Sequence, residues 1–231
     1  MSEINDASKY FDANWRKYQD SISCNTLYHK EMGAELRHFL IQHFNASYTL
    51  VDVGCGDSST IIPVISATKI EKYIGVDAAP NVLKIADSNL AALNCKKEFI
   101  CGNMSDAVTQ FPENIDIIYT SYALHHLSCD NKIEFIRNCK NKLKQGGFLI
   151  IVDGVLSTNQ TRDEWLDALK NRMQETQHMS AEELEFRMEH PRADDFPESI
   201  ATYQKIAEDQ KWKKFEVLID KEIFAFMVFG K

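Results

Sequence analysis

The sequence predicts an α/β fold, a doubly wound, mostly parallel sheet with helices on both faces and a helical cap. Three observations carry this. Between residues 48 and 153, short apolar runs alternate with segments of helical period. The runs are short and mostly β-branched or aromatic, as strands covered on both faces are. The chain then ends in two apolar runs about three residues apart, Phe215–Ile219 and Ile223–Phe229, a gap that permits a hairpin but no helical crossover, so the last strand is antiparallel.

Taken in order, residues 1–45 read as an amino-terminal helical cap segment rich in aromatics, Tyr10, Phe11, Trp15, Tyr18 and Tyr28. The ligand-binding core, 46–153, carries runs at Thr49–Val53, Tyr73–Val76, Phe99–Cys101, Ile115–Tyr119 and Phe148–Val152. Val82, Ile85, Ala86 and Leu93 share one helical face, and Ile133, Ile136 and Leu143 another, in a segment ended by Gly146-Gly147. Residues 154–213 hold a helical insert and the last crossover helix. Capping boxes at Thr161-x-x-Glu164 and Ser180-x-x-Glu183 start its first two helices, with Met179 and Leu184 as a staple. Asp195, with Glu198 three residues on and Pro197 between them, reads as the N-cap of the crossover helix. Residues 214–231 form the hairpin, and 1–231 make one domain.

With 34 Asp+Glu against 26 Lys+Arg, the 231-residue chain has a net charge of −8, which argues against a broad nucleic-acid surface. Residues 154–213 hold 13 of the acids and 8 of the bases. The longest apolar runs fall short of a membrane span, and Met1–Asp6 does not read as a signal peptide, so the expected location is cytoplasmic. Six cysteines without CxxC spacing read as reduced thiols rather than disulfides or a zinc site, and no metal is assigned.

In such a sheet the ligand sits where the winding reverses, after the first strand. There the chain reads Asp52-Val53-Gly54-Cys55-Gly56-Asp57-Ser58, with two glycines that let a ligand approach the backbone. Asp77 ends the next strand, 23 residues after Gly54, where a carboxylate can accept both hydroxyls of a ribose. Gly102-Asn103-Met104 follows the third strand, Ser121 to Leu127 the fourth, and Leu143 to Phe148 precedes the fifth. These five motifs, over roughly residues 45–155, resemble those of the class I S-adenosylmethionine-dependent methyltransferases.

The resemblance implies strand order 3-2-1-4-5-7-6 with strand 7 antiparallel, and S-adenosyl-L-methionine as cofactor, converted to S-adenosyl-L-homocysteine. It implies that Asp52, Gly54, Cys55 and Gly56 line the cofactor and that Asp77 and Ala78 hold its ribose. It further implies that Asn103 and Met104 flank the adenine, that Ser121 lies near the sulfonium and that Tyr18 closes over it. Asn103 stands where the family usually has Asp, its side-chain oxygen still able to accept from the adenine amino group. Ser58 replaces the third motif glycine, and Pro63 requires the first helix to begin late or bend.

Methyl transfer from a sulfonium needs alignment more than covalent help, so a base is optional. His125 and His190 are the candidate catalytic groups, and Tyr122, His126 and Asp194 the candidate substrate-pocket residues. His126 also reads as a structural side chain bonding the backbone. The expected reaction is transfer to an oxygen or nitrogen of a small metabolite by a monomer or homodimer. Methylation of tRNA or protein, and cofactor binding without turnover, are the competing readings. Lys69, Lys72, Lys96 and Lys97 are the sole hints of a basic rim.

Overall fold

The structure is a computed structural model that describes Trp15 and residues 18–231. Tyr10, Phe11 and Met1–Asp6, which figure in the expectations above, lie outside the described residues. Helical residues 18–23 precede α1 (His29–His43), β1 (Tyr48–Val53), α2 (Ile62–Ile65), β2 (Ile70–Asp77), α3 (Pro80–Asn89), β3 (Lys96–Cys101), α4 (Met104–Gln110) and β4 (Ile115–Ser121). A 3₁₀ turn, Leu124–His126, leads to α5 (Cys129–Lys142) and β5 (Leu143–Leu156). The chain continues through α6 (Arg162–Gln177), α7 (Ala181–Asp194), β6 (Glu198–Ser199), α8 (Ile200–Asp209), β7 (Lys214–Asp220) and β8 (Phe224–Gly230).

The strands lie in the order β3-β2-β1-β4-β5-β8-β7, and β6 pairs with β5. The first five are parallel, whereas β8 runs antiparallel to both β5 and β7. The expected order holds, with the two-residue β6 moving the hairpin strands up one number. Winding reverses between β1 and β4, so a crevice opens at their carboxyl ends.

The inner strands bury both faces, whereas the edge strands β3 and β7 hold no fully buried residue. Leu50, Tyr73, Ile117, Ile150 and Phe226 face one layer with α1 (Leu36, Leu40) and α6 (Trp165), while Val51, Ile74, Ile118, Ile151 and Met227 face the other with α5 (Phe135, Ile136) and α8 (Tyr203). Trp165 is fully buried and its indole N–H donates to the Ile223 carbonyl at 3.0 Å. Its ring occupies the space above Gly154, where a Cβ would come within 2.9 Å of it, so α6 packs through the missing side chain.

Helix starts follow their caps. Thr161 and Glu164 form the full reciprocal box, whereas Ser180 accepts from the Glu183 N–H at 3.1 Å and the Glu183 carboxylate turns instead to Arg187. Pro63 sits in the first turn of α2, a helix of only four residues, as a late start requires.

Two expectations need correction. The segment before β5 does not end at Gly146-Gly147: α5 stops at Lys142, and Leu143 already pairs with Ile115. The glycines lie inside the strand because Gly146 takes φ +75° and a Cβ on Gly147 would come 3.0 Å from the Ile115 and Asp116 carbonyls. Nor does Asp195 cap the crossover helix. Glu198-Ser199 is drawn into pairing with β5, so α8 begins at Ile200 and Ser199 caps it, accepting from the Thr202 N–H at 3.1 Å. Asp195 instead closes α7. All six cysteines are free thiols. Among the described residues, no helix is long and apolar enough to cross a membrane.

Candidate active site

The turn after β1 is built on backbone that side chains resist. Gly54 and Gly56 have φ of +76° and +54°, and a Cβ on Gly54 would fall 2.6 Å from that of Ala123 in the loop after β4. Ser58, at the third motif position, keeps the glycine-like conformation with φ 59°. Asp77 at the end of β2 locks the turn, one carboxylate oxygen accepting from the Gly56 N–H and the other from the Ala79 N–H, both at 2.9 Å. A carboxylate has four lone-pair sites, so these bonds leave acceptor capacity toward the crevice.

Beneath the turn, the Tyr73 hydroxyl donates to Asp52 at 2.8 Å and lies 2.9 Å from the Ser58 hydroxyl. Burial pushes Asp52 up to about 7, against the Tyr73 hydrogen bond and with help from the Asp77 charge. Asp57 fastens the amino-terminal segment over the turn, accepting from the Trp15 indole at 3.1 Å and the Gln19 amide at 2.8 Å.

These residues bound a cavity with Tyr18, Asp77, Ser121 and Tyr122 on its wall. A second cavity lies beneath α6 and α7, lined by Leu169, Met173, Arg187, His190 and Asp195. Tyr18, Tyr122 and His126 belong to both walls, so the two cavities meet across these three side chains. Tyr122 is held there with φ 52°, its hydroxyl donating to the Leu27 carbonyl at 2.8 Å and its ring centroid 4.4 Å from that of His29. Burial draws His29 down to about 4, and its Nε2 lies 3.3 Å from the Tyr18 hydroxyl.

Polar groups of the second cavity converge from three elements. His125 Nδ1 lies 2.6 Å from Asp153 at the inner end of β5, and its Nε2 lies 3.5 Å from Asp195. His126 Nδ1 is 3.3 Å from the same Asp195 oxygen and 3.2 Å from the Asp194 carbonyl. Burial works against charge on His125, but Asp153 and Asp195 prevail and raise it to about 9. Burial likewise opposes ionisation of Asp195, yet His125 and His126 hold it well below the usual carboxylate range. His190 is shifted the other way, downward, chiefly by burial.

Two cations brace this arrangement. Fully buried Lys132 donates to the Leu127 carbonyl and to that of Phe196, joining the loop after β4 to the loop after α7. Arg162 donates to the Pro191, Arg192 and Asp195 carbonyls, satisfying the end of α7.

Of the residues singled out in the sequence, Gly54, Cys55, Gly56, Asp77 and Ser121 bound the first cavity, and Tyr18, Tyr122 and His126 both cavities. His125 and His190 line the second. Asp52 lies beneath the turn, and Ala78, Asn103 and Met104 are outside the cavity wall. Asn103 caps α4, its side-chain oxygen accepting from the Asp106 N–H at 2.8 Å. The Asp194 carboxylate is half exposed, 3.2 Å from His190; its neighbour Asp195 is the one facing the cavity. Sequence reasoning missed Asp57 and Asp153, whose partners Trp15, Gln19 and His125 are distant in the chain, and Arg187, which joins Glu183 one helical turn before it to Asp20.

Residues 50–147 match the model of a methyltransferase domain. An uncharacterized methyltransferase of Bacillus mycoides is 24% identical over 163 residues, spanning 70% of this chain and 74% of its own. The magnesium protoporphyrin IX methyltransferase of Synechocystis PCC 6803, solved with bound S-adenosylmethionine, shares the fold with a TM-score of 0.67 at 12% identity, covering 100% of this chain and 98% of its own. An O-methyltransferase family 2 protein of Planctomyces limnophilus in complex with apigenin gives 0.58 at 20% identity, covering 80% of this chain and 50% of its own. The glycine turn, the carboxylate at the end of β2, the sheet order and these likenesses agree: the chain carries a methyltransferase domain over residues 50–147, and its architecture is that of the class I S-adenosylmethionine-dependent methyltransferases, whose cofactor is S-adenosyl-L-methionine.

Proposed function

We propose that this enzyme transfers the cofactor's methyl group to an oxygen or nitrogen of a small molecule enclosed in the cavity beneath α6 and α7. The observation that carries the reading is the shared wall of Tyr18, Tyr122 and His126. A donor in the first cavity and an acceptor in the second meet there, and alignment of the two is most of what such a transfer requires.

In this reading Gly54 and Gly56 admit the methionine portion of the cofactor against the backbone. Asp77 accepts from the ribose hydroxyls, and Asn103 and Met104 flank the adenine beside α4. Aromatic rings around the junction exclude water and face the sulfonium, a contact that favours the cation. His125 is fixed through Nδ1, 2.6 Å from the buried Asp153 carboxylate, and in this reading it positions rather than deprotonates. His190, on α7 with its ring centroid 5.2 Å from that of His126, is the group we assign to take a proton from an acceptor that must lose one. The net charge of −8 and the apolar roof at Leu169 and Met173 favour a small acceptor over a nucleic acid.

The test uses methyl-labelled S-adenosylmethionine with a size-fractionated extract of the source organism. Label is expected in the small-molecule filtrate, from which the product can be isolated. Label retained by the RNA or protein fraction, with none in the filtrate, overturns the assignment.

A further inference from the structure

We propose that His125, His126 and Asp195 form a binding site for one divalent transition-metal ion on the floor of the second cavity. One donor atom from each lies within 4.8 Å of the others. Asp195 Oδ1 stands 3.5 Å from His125 Nε2 and 3.3 Å from His126 Nδ1. Charge-assisted hydrogen bonds close to about 2.7–2.9 Å, and at the observed distances Asp195 Oδ1 makes none. The spacing instead matches the edge of a coordination tetrahedron, about 3.3–3.5 Å when metal–nitrogen and metal–oxygen bonds are about 2.0–2.2 Å.

A second observation points the same way. The far nitrogen of His125, Nδ1, lies 2.6 Å from the fully buried Asp153 carboxylate. Ligating histidines are held by such a partner, which fixes the ring and raises the basicity of the nitrogen facing the ion. Asp153 sits on the central strand β5, paired on either side with β4 and β8, so the orienting group cannot drift. The Asp195 side of the site is held just as firmly. The Phe196 N–H donates to the His125 carbonyl at 2.8 Å, and Lys132 and Arg162 tie the same loop from below and behind.

Two imidazoles and one carboxylate form a donor set suited to zinc, iron or cobalt rather than magnesium or calcium, which prefer oxygen. Three protein ligands leave coordination positions open, and the cavity brings His190 and Arg187 to the same space. An oxygen or nitrogen of a bound small molecule fits those positions. His126 also touches the Asp194 carbonyl through Nδ1, a contact that the ion replaces when it binds. The site does not depend on which molecule is methylated.

The test is direct metal binding by the full chain, untagged and stripped with a chelator. Titration with Co²⁺, followed by visible d–d absorption and calorimetry, is expected to saturate at one ion per chain. Asp195→Asn is expected to weaken binding at least tenfold, and Asp153→Asn, which touches no ion, by about 10–100-fold. Zn²⁺ should raise the melting temperature of the unaltered protein and leave that of Asp195→Asn unmoved. If Asp195→Asn does not fold, the half-buried His126→Ala substitution gives the same reading. Absence of Co²⁺ uptake by the unaltered protein overturns the proposal, as does uptake that these substitutions leave unchanged.

Discussion

Replacing Asp52 by Asn removes a titration that the fold imposes on β1. Buried beneath the glycine turn, Asp52 is raised to about 7 from an unfolded value of 3.8. A difference of roughly three units at about 1.36 kcal/mol each amounts to on the order of 4 kcal/mol. The folded value lies above the unfolded one, so between about pH 4 and pH 7 the native chain keeps a proton that the unfolded chain has released. Its contribution to stability is complete below pH 4, is lost as the pH rises toward 7, and changes no further above that. Asn is neutral throughout and can still accept from the Tyr73 hydroxyl. His29 works in the opposite sense, since its folded value of about 4 lies below the ordinary 6.5 and costs stability as the pH falls. It is present in both proteins and cancels in their difference. Urea unfolding of the two proteins from pH 4.5 to 8 should show the stability of Asp52→Asn, relative to the unaltered protein, climbing by about 3 kcal/mol and levelling just above pH 7. Parallel curves would refute the claim that Asp52 is held protonated by burial.

Asp77→Ala should weaken S-adenosylhomocysteine binding by roughly 100-fold or more in calorimetry, because two hydrogen bonds to a charged carboxylate are worth about 1.5 kcal/mol each at least; unaltered affinity would remove Asp77 from the ribose site. Gly54→Ala forces a Cβ to 2.6 Å from Ala123 at φ +76°, and should lower stability by about 1–3 kcal/mol while abolishing cofactor binding. Trp165→Ala empties a fully buried site and removes the indole hydrogen bond to the Ile223 carbonyl, at an expected cost of about 3–5 kcal/mol in denaturant unfolding. A loss below about 1 kcal/mol would show that α6 is not anchored through this ring.

The sheet was legible because its evidence is local. Continuous apolar runs such as Phe148–Val152 report burial on two faces wherever they end up, and the short gap before Ile223 dictates an antiparallel strand. Glycine punctuation was less reliable. Gly146-Gly147 carries the signature of a helix end, yet the bond ladder between β4 and β5 absorbs both residues into a strand. Asp195 illustrates a sharper limit: its spacing from Glu198 satisfies a local capping rule, and tertiary pairing of β6 with β5 overrides it. The partners that define the polar floor are far apart in the chain, His125 with Asp153 and Asp195, Lys132 with Phe196. No window of sequence holds both members of such pairs, so the cluster emerges only when the sheet closes.

The length of β5 has a consequence for how this enzyme can change. The strand runs from Leu143 to Leu156, so a single piece of backbone supports the sheet interior and then delivers Asp153 to His125 on the floor of the second cavity. The roof of that cavity has another origin, with Leu169 and Met173 on α6 and Arg187 on α7. Mutations in the roof can therefore remodel the shape offered to an acceptor while the floor keeps its chemistry. Mutations in the floor disturb the molecule's central strand. Selection for new acceptors acts on a surface that is free to vary, upon a base that folding itself protects.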